Sequence, residues 1–90
     1  MPDDGPPPEA PYDQMRRCIE IVEAALREAG SSLADVVRTR VYLTDAAYAS
    51  EAMRAHGEAF AAARPACTGI VCGLLDERWL VELEVEAVLA

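Results

Sequence analysis

Three glutamates, Glu82, Glu84 and Glu86, alternate with apolar residues in the last stretch of this chain, WLVELEVEAVL. At two-residue spacing they share one face of a strand, and Val81, Leu83, Val85, Ala87 and Leu89 share the other. Carboxylates so arranged either meet water or line a site. A solvated or interface face is the first reading of Glu84 and Glu86, and no metal site is expected from them. The other candidates for chemistry are three cysteines and one histidine. Cys67 and Cys72 lie five apart on a strand-like stretch, so they face opposite sides and do not pair with each other. Cys18 sits in a helical pattern. No CxxC or Cys/His spacing suggests a metal, and no cofactor is implied. Three reduced thiols in a cytoplasmic protein are expected. A reactive Cys67 would need a nearby cation or helix N-terminus. Arg64 is the only such neighbour in sequence, so a packed strand residue is the simpler reading. His56 falls on an apolar helical stripe with no Ser, Cys or Asp at partner spacing, which makes it a core histidine. Thr68 and Gly69 could line a cleft through hydroxyl and backbone groups. Gly69 and Gly73 together leave one face of their strand bare, which permits close approach of a neighbour.

These residues need elements to hold them. MPDDGPPPEAP, residues 1–11, contains five of the six prolines and reads as a flexible arm. Residues 12–90 form the domain. A first helix is expected from Tyr12 to Ala29. Met15, Cys18, Ile19, Val22, Ala25, Leu26 and Ala29 make its apolar stripe, and Gly30 is the stop. A strand follows from Val36 to Thr44, with Val37, Thr39, Val41 and Leu43 on one face and Arg38, Arg40 and Tyr42 on the other. Thr44 or Asp45 caps a second helix, which carries Ala49, Ala52, Met53, His56, Phe60 and Ala63 and ends at Arg64-Pro65. Gly57 in its middle costs about 1 kcal/mol relative to alanine and suggests close packing or the loss of a larger side chain. A second strand spans Cys67 to Leu74. Asp76-Glu77-Arg78 is expected to make a hairpin to the third strand. Trp79 opens that strand and covers an edge of the core. The order α-β-α-β-β predicts an α+β two-layer sandwich with the helices on one face of the sheet.

Bulk properties narrow the function. Ninety residues make one small domain, which buries only about 60% of its unfolded surface and is marginal alone. Self-association is the obvious remedy. The chain is 52% hydrophobic with a formal net charge of −8. It is too apolar for disorder and too acidic, with no basic cluster, for nucleic acid or an anionic membrane surface. No apolar run reaches the roughly 20 residues of a spanning helix, and the first eleven residues show no signal-peptide pattern.

Several stretches resemble one family. EAALREAGSSLADVVRTRVYLTD is similar to the central block of the RidA (YjgF-type) reactive-intermediate deaminases. RPACTGIVCGLLDERWLVELEVEAVLA is similar to that family's C-terminal block. The resemblance implies a chorismate-mutase-like fold and a homotrimer, with sheets facing inward, helices outward and ligand clefts between subunits. It implies hydrolysis of enamines and imines, an arginine that binds the substrate carboxylate, and a glutamate on the last strand that positions or activates water. Two departures follow. Cys67 stands where the family has its arginine, and a neutral thiol cannot make the bidentate carboxylate contact of a guanidinium. Glu82 does match the family's glutamate in register. The hairpin that normally precedes the first helix is also missing; a start upstream of Met1 is the favoured explanation, and a natural short form is the alternative.

The expectation is therefore a RidA-like homotrimer binding a small metabolite between subunits. Glu82 is the catalytic candidate, and Cys67, Thr68 and Gly69 are the ligand-binding ones. The alternatives are an active imine or enamine deaminase using Glu82 and water, and a non-enzymatic, chaperone-like interaction module. The family's older ribonuclease label finds little physical support in an acidic chain without a His or Lys constellation.

Overall fold

The computed structural model describes residues 6–89. Helix α1 (Pro11–Glu28) begins on a proline, whose missing N–H is one the first turn leaves unpaired anyway. It closes in a Schellman motif: Gly30 takes φ 84°, its N–H bonds the Arg27 carbonyl at 3.1 Å, and the Ser31 N–H bonds the Leu26 carbonyl at 2.8 Å. The inward face is Gln14, Met15, Cys18 and Ile19. Beyond it the stripe fades; Val22 and Leu26 are half-buried, and Ala25 and Ala29 are exposed. Apolar periodicity gives a helix's orientation, not the extent of the surface opposite it. Of the expected arm, residues 1–5 lie outside the described residues, and Pro11 belongs to α1.

Strand β1 (Val36–Leu43) alternates as expected from Thr39 onward, with Thr39, Val41 and Leu43 buried. Its start differs. A register irregularity between Val36 and Arg38 turns Val36 inward and leaves Val37 51% exposed, because one extra residue reverses the parity of a strand. Asp45 then caps a short 3-10 turn, Ala46–Tyr48, by accepting the Ala47 N–H at 2.8 Å. Helix α2 (Ala49–Ala59) follows. It ends earlier than its apolar pattern suggested, and a turn closed by Arg64 N–H to the Phe60 carbonyl leads out of it.

Strands β2 (Ala66–Val71) and β3 (Val81–Ala87) complete a three-stranded sheet of order β2-β1-β3. The pairing of β1 with β2 is parallel and that of β1 with β3 antiparallel. The expected β2–β3 hairpin is thus absent. A strand–helix–strand unit pairs its strands in parallel, so β2 takes one edge of β1 and β3 must take the other. The connection crosses the end of β1 instead: the Cys72 N–H bonds the Leu43 carbonyl and the Thr44 N–H bonds the Leu80 carbonyl, both at 2.9 Å. Asp76 and Arg78 form only a local turn within it, with Asp76 Oδ2 2.8 Å from Arg78 Nη2.

Both helices lie on one face of the sheet. Met15, Cys18 and Ile19 of α1, Ala52 and Ala55 of α2, and Phe60 just past it meet Val36, Val41, Leu43, Val81 and Leu83, with Trp79 closing the end. Tyr12 ties the helices together. Its hydroxyl donates to the Glu58 carboxylate, and the Arg54 guanidinium stacks 4.1 Å above its ring. Gln14, 1% exposed, ties three segments. Its amide nitrogen donates to the Pro8 carbonyl (2.7 Å) and the Arg78 carbonyl (2.9 Å), and its oxygen accepts the Leu80 N–H (2.7 Å). Every hydrogen-bonding group of a buried amide needs such a partner.

Candidate functional site

Strand register sorts the sequence candidates onto two faces. In-register neighbours point the same way. The outer face, away from the helices, carries the rows Arg38–Glu86, Arg40–Glu84 and Tyr42–Glu82, continued on β2 by Ala66, Thr68 and Ile70. The helix side carries Thr39, Val41 and Leu43, continued on β2 by Cys67, Gly69 and Val71. Thr68 and Glu82 therefore share the outer face, and Cys67 and Gly69 lie on the other. Cys67 and Glu82 sit on strands two spacings apart, roughly 10 Å, and on opposite sides, so one chain does not bring them together.

The outer face is a charge ladder. Arg40 Nη1 donates to Glu84 Oε1 at 3.0 Å, and the Tyr42 hydroxyl donates to the same oxygen at 3.0 Å. Arg38 Nη1 lies 3.6 Å from Glu86 Oε1. The hydrogen bonds from Arg40 and then Tyr42 hold the Glu84 carboxyl below its ordinary pKa. Glu84 in turn raises the Tyr42 hydroxyl. A shallow hollow of about 240 Å³ lies over Arg38, Arg40, Glu84, Val85 and Glu86. Its arginines are already matched by glutamates, so it offers little attraction to an anion. Glu82, beside Tyr42, is exposed and joins no ion pair among the described residues.

The helix side holds a pair that sequence reasoning missed. His56 Nε2 and Thr39 Oγ1 are 2.8 Å apart and buried. The imidazole tilts against Phe60 with ring centroids 4.7 Å apart, and burial lowers its pKa. Ser, Cys and Asp at partner spacing are not the only partners a core histidine can take. The available signal was different: Thr39 falls on the apolar face of its strand and His56 on the apolar stripe of its helix. Two polar residues sent into one core require each other. Cys67 is Thr39's neighbour on β2, and it is exposed because neither helix covers that strand. Cys18 is a different thiol. Burial, followed by the charge of Glu82, pushes it up to about 11, which makes it inert. Among the described residues no group of three His, Cys, Asp or Glu side chains is placed to hold a metal ion, and no helix is long and apolar enough to cross a membrane.

The family model described as Endoribonuclease L-PSP matches residues 2–89. An uncharacterised protein of Streptomyces coelicolor is 38% identical over 86% of this chain and 58% of its own length. A RutC family protein of Pyrococcus abyssi is 36% identical over 83% of this chain and 59% of its own. The chain thus spans less than two thirds of these curated relatives. Among solved structures, Rv2704 of Mycobacterium tuberculosis, a member of the YjgF/YER057c/UK114 family, superposes with a TM-score of 0.85. It is 38% identical and covers 89% of this chain and 69% of its own. Yeast Mmf1 superposes at 0.90 with 26% identity over 100% of this chain and 72% of its own. A match across nearly the whole chain, joined to the same α+β arrangement, places this chain in the YjgF/RidA family.

Proposed function

We propose that this chain is a self-associating member of its family that binds a small metabolite in a cleft between copies, without efficient imine deamination. The observation that carries the reading is Cys67. It stands where the resemblance places the carboxylate-binding arginine, on a strand whose six residues are all exposed. A strand uncovered on both faces is a surface for a second copy to bury, and residues along it would then line the cleft. A homotrimer is the assembly proposed, and the three free cysteines suit a cytoplasmic setting. Loss of a charge-assisted contact removes roughly 1.5–3 kcal/mol. At about tenfold per 1.36 kcal/mol, turnover of carboxylate-bearing imines falls on the order of a hundredfold.

A dehydratase-coupled assay with 2-iminopropionate, run beside an arginine-containing relative, tests the reading. Weak turnover supports it, and equal turnover overturns it. Sedimentation equilibrium at micromolar protein tests the assembly; a monomer would remove the cleft. The exposure of Glu82 beside Tyr42 favours a second reading, a hydrolase in which Glu82 activates water. In that case Glu82→Gln abolishes whatever turnover the coupled assay detects.

A further inference from the structure

An open hollow of about 460 Å³ lies at the carbonyl end of α2, on the helix side of the sheet, walled by His56, Gly57, Phe60, Ala61, Arg64 and Pro65. Two of these residues go against local preference. Gly57 sits inside a helix, where alanine is the better residue. A Cβ built on it would meet nothing within 4 Å, so close packing does not require the glycine. What its missing side chain does leave is open space at the rim of the hollow. Arg64 has φ 50°, a left-handed backbone that favours glycine. It also precedes Pro65, and a residue in that position is pushed toward extended backbone. The left-handed Arg64 closes the turn out of α2 through its N–H to the Phe60 carbonyl; Gly57 has no such structural return, and choices of that kind concentrate at functional sites.

The chemistry of the walls suggests what binds. Phe60 and Pro65 supply an apolar surface. His56 is anchored through Nε2 by Thr39 and tilts onto the Phe60 ring, which fixes the orientation of that wall. Arg64 forms no ion pair among the described residues, whereas five of the other seven arginines do. The carbonyl end of a helix contributes about half a negative charge, less than the full positive charge of the guanidinium. We propose that this hollow binds a small carboxylate, with the carboxylate on Arg64 and an apolar body against Phe60 and Pro65. The site uses one chain only and lies on the opposite side of the sheet from the glutamate ladder. It therefore stands or falls independently of assembly and of deaminase activity.

The chain has one histidine and one phenylalanine, and both line the hollow, so their ring signals are unambiguous NMR reporters. Phenylacetate is the probe and phenylacetamide its neutral counterpart. Phenylacetate at millimolar concentration is expected to shift both rings saturably, and the amide to bind about tenfold more weakly. Arg64→Gly relieves the left-handed backbone. It is expected to keep or raise the thermal midpoint while weakening phenylacetate about tenfold. Gly57→Leu fills the rim and is expected to block binding while leaving the fold intact by circular dichroism. The proposal is overturned if phenylacetate leaves the two rings unshifted, if the amide binds equally well, or if Arg64→Gly binds as tightly as the parent.

Discussion

Strands β2 and β3 flank the same strand and are nearly equal in length, six and seven residues, yet their surroundings are opposite. Val81 and Leu83 of β3 are buried beneath α1, and its outward positions are glutamates. Every residue of β2 is exposed, including Ile70 and Val71 on opposite faces. Within one chain the β3 side therefore carries most of the folding free energy, and β2 contributes little beyond its backbone ladder. The difference also bears on how the chain could diverge. Cys67, which the resemblance sets against the family's arginine, sits on the strand that the fold constrains least. Glu82, which the resemblance sets against the family's glutamate, sits on the strand where the core sets every second residue.

The largest expected contrast tests this directly. Leu83→Ala should cost about 2–4 kcal/mol, as buried leucines do. Val71→Ala, at a side chain 58% exposed, should cost less than about 0.5 kcal/mol. Urea unfolding followed by the single tryptophan, the buried Trp79, measures both. The experiment must be run at protein concentrations low enough to suppress association. Equal losses would mean that β2 is covered in solution even then, and the contrast would be one of the isolated chain only. The next effect falls on the joint between the two sides. Gln14→Leu removes the amide that holds the Arg78 carbonyl and the Leu80 N–H in the connection from β2 to β3. Buried backbone groups left unpaired predict a loss of about 1–3 kcal/mol in the same assay. A neutral result would show that water replaces the amide.

How much of this could be read beforehand follows the same division. Element order, the inward faces of the first half of α1 and of β3 at Val81 and Leu83, the glycine stop at Gly30 and the helices on one face all follow from periodicity and turn chemistry. Those signals act within a few residues. The hairpin expectation fails because strands adjacent along the chain are not adjacent in this sheet. Whether β3 pairs with β2 or with β1 depends on the parallel crossover, which no local pattern of residues 72–80 encodes. Val37 failed for a smaller reason, one extra residue in the ladder. At the candidate site the identities of Cys67, Thr68, Gly69 and Glu82 were visible, but their division between two faces depends on register. The His56–Thr39 bond spans 17 residues and needed both amphipathic faces to be considered at once.

The His56–Thr39 bond gives the third prediction. Burial lowers the imidazole pKa in the folded chain, so between the folded value and the unfolded value of about 6.5 the unfolded state binds more protons. Stability then rises with pH through that window. The contribution is fully present above about pH 6.5 and is lost as pH falls toward the folded value. With one histidine in the chain, the slope of stability between about pH 5 and 7 has a single imidazole source. His56→Gln should flatten it. A slope that survives the substitution would move its origin to the carboxylates and away from the buried imidazole.

The smallest expected effect on the fold lies on the outer face. The Glu84 carboxyl is held below its ordinary pKa by Arg40 and Tyr42, but all three side chains are open to solvent, where an ion pair is screened and adds little to stability. Glu84→Gln should therefore leave the urea midpoint of the dilute chain unchanged within error. The same substitution leaves Arg40 without its carboxylate. If a second copy buries the outer face, that guanidinium is desolvated without its partner, which is costly in a way that the exposed pair is not. Sedimentation equilibrium at micromolar concentration should then show a weaker assembly, even though the fold is intact. A lowered urea midpoint with unchanged association would reverse the assignment. The ladder would then stabilise the single chain, and copies would meet along the bare strand β2 without covering the charged ladder.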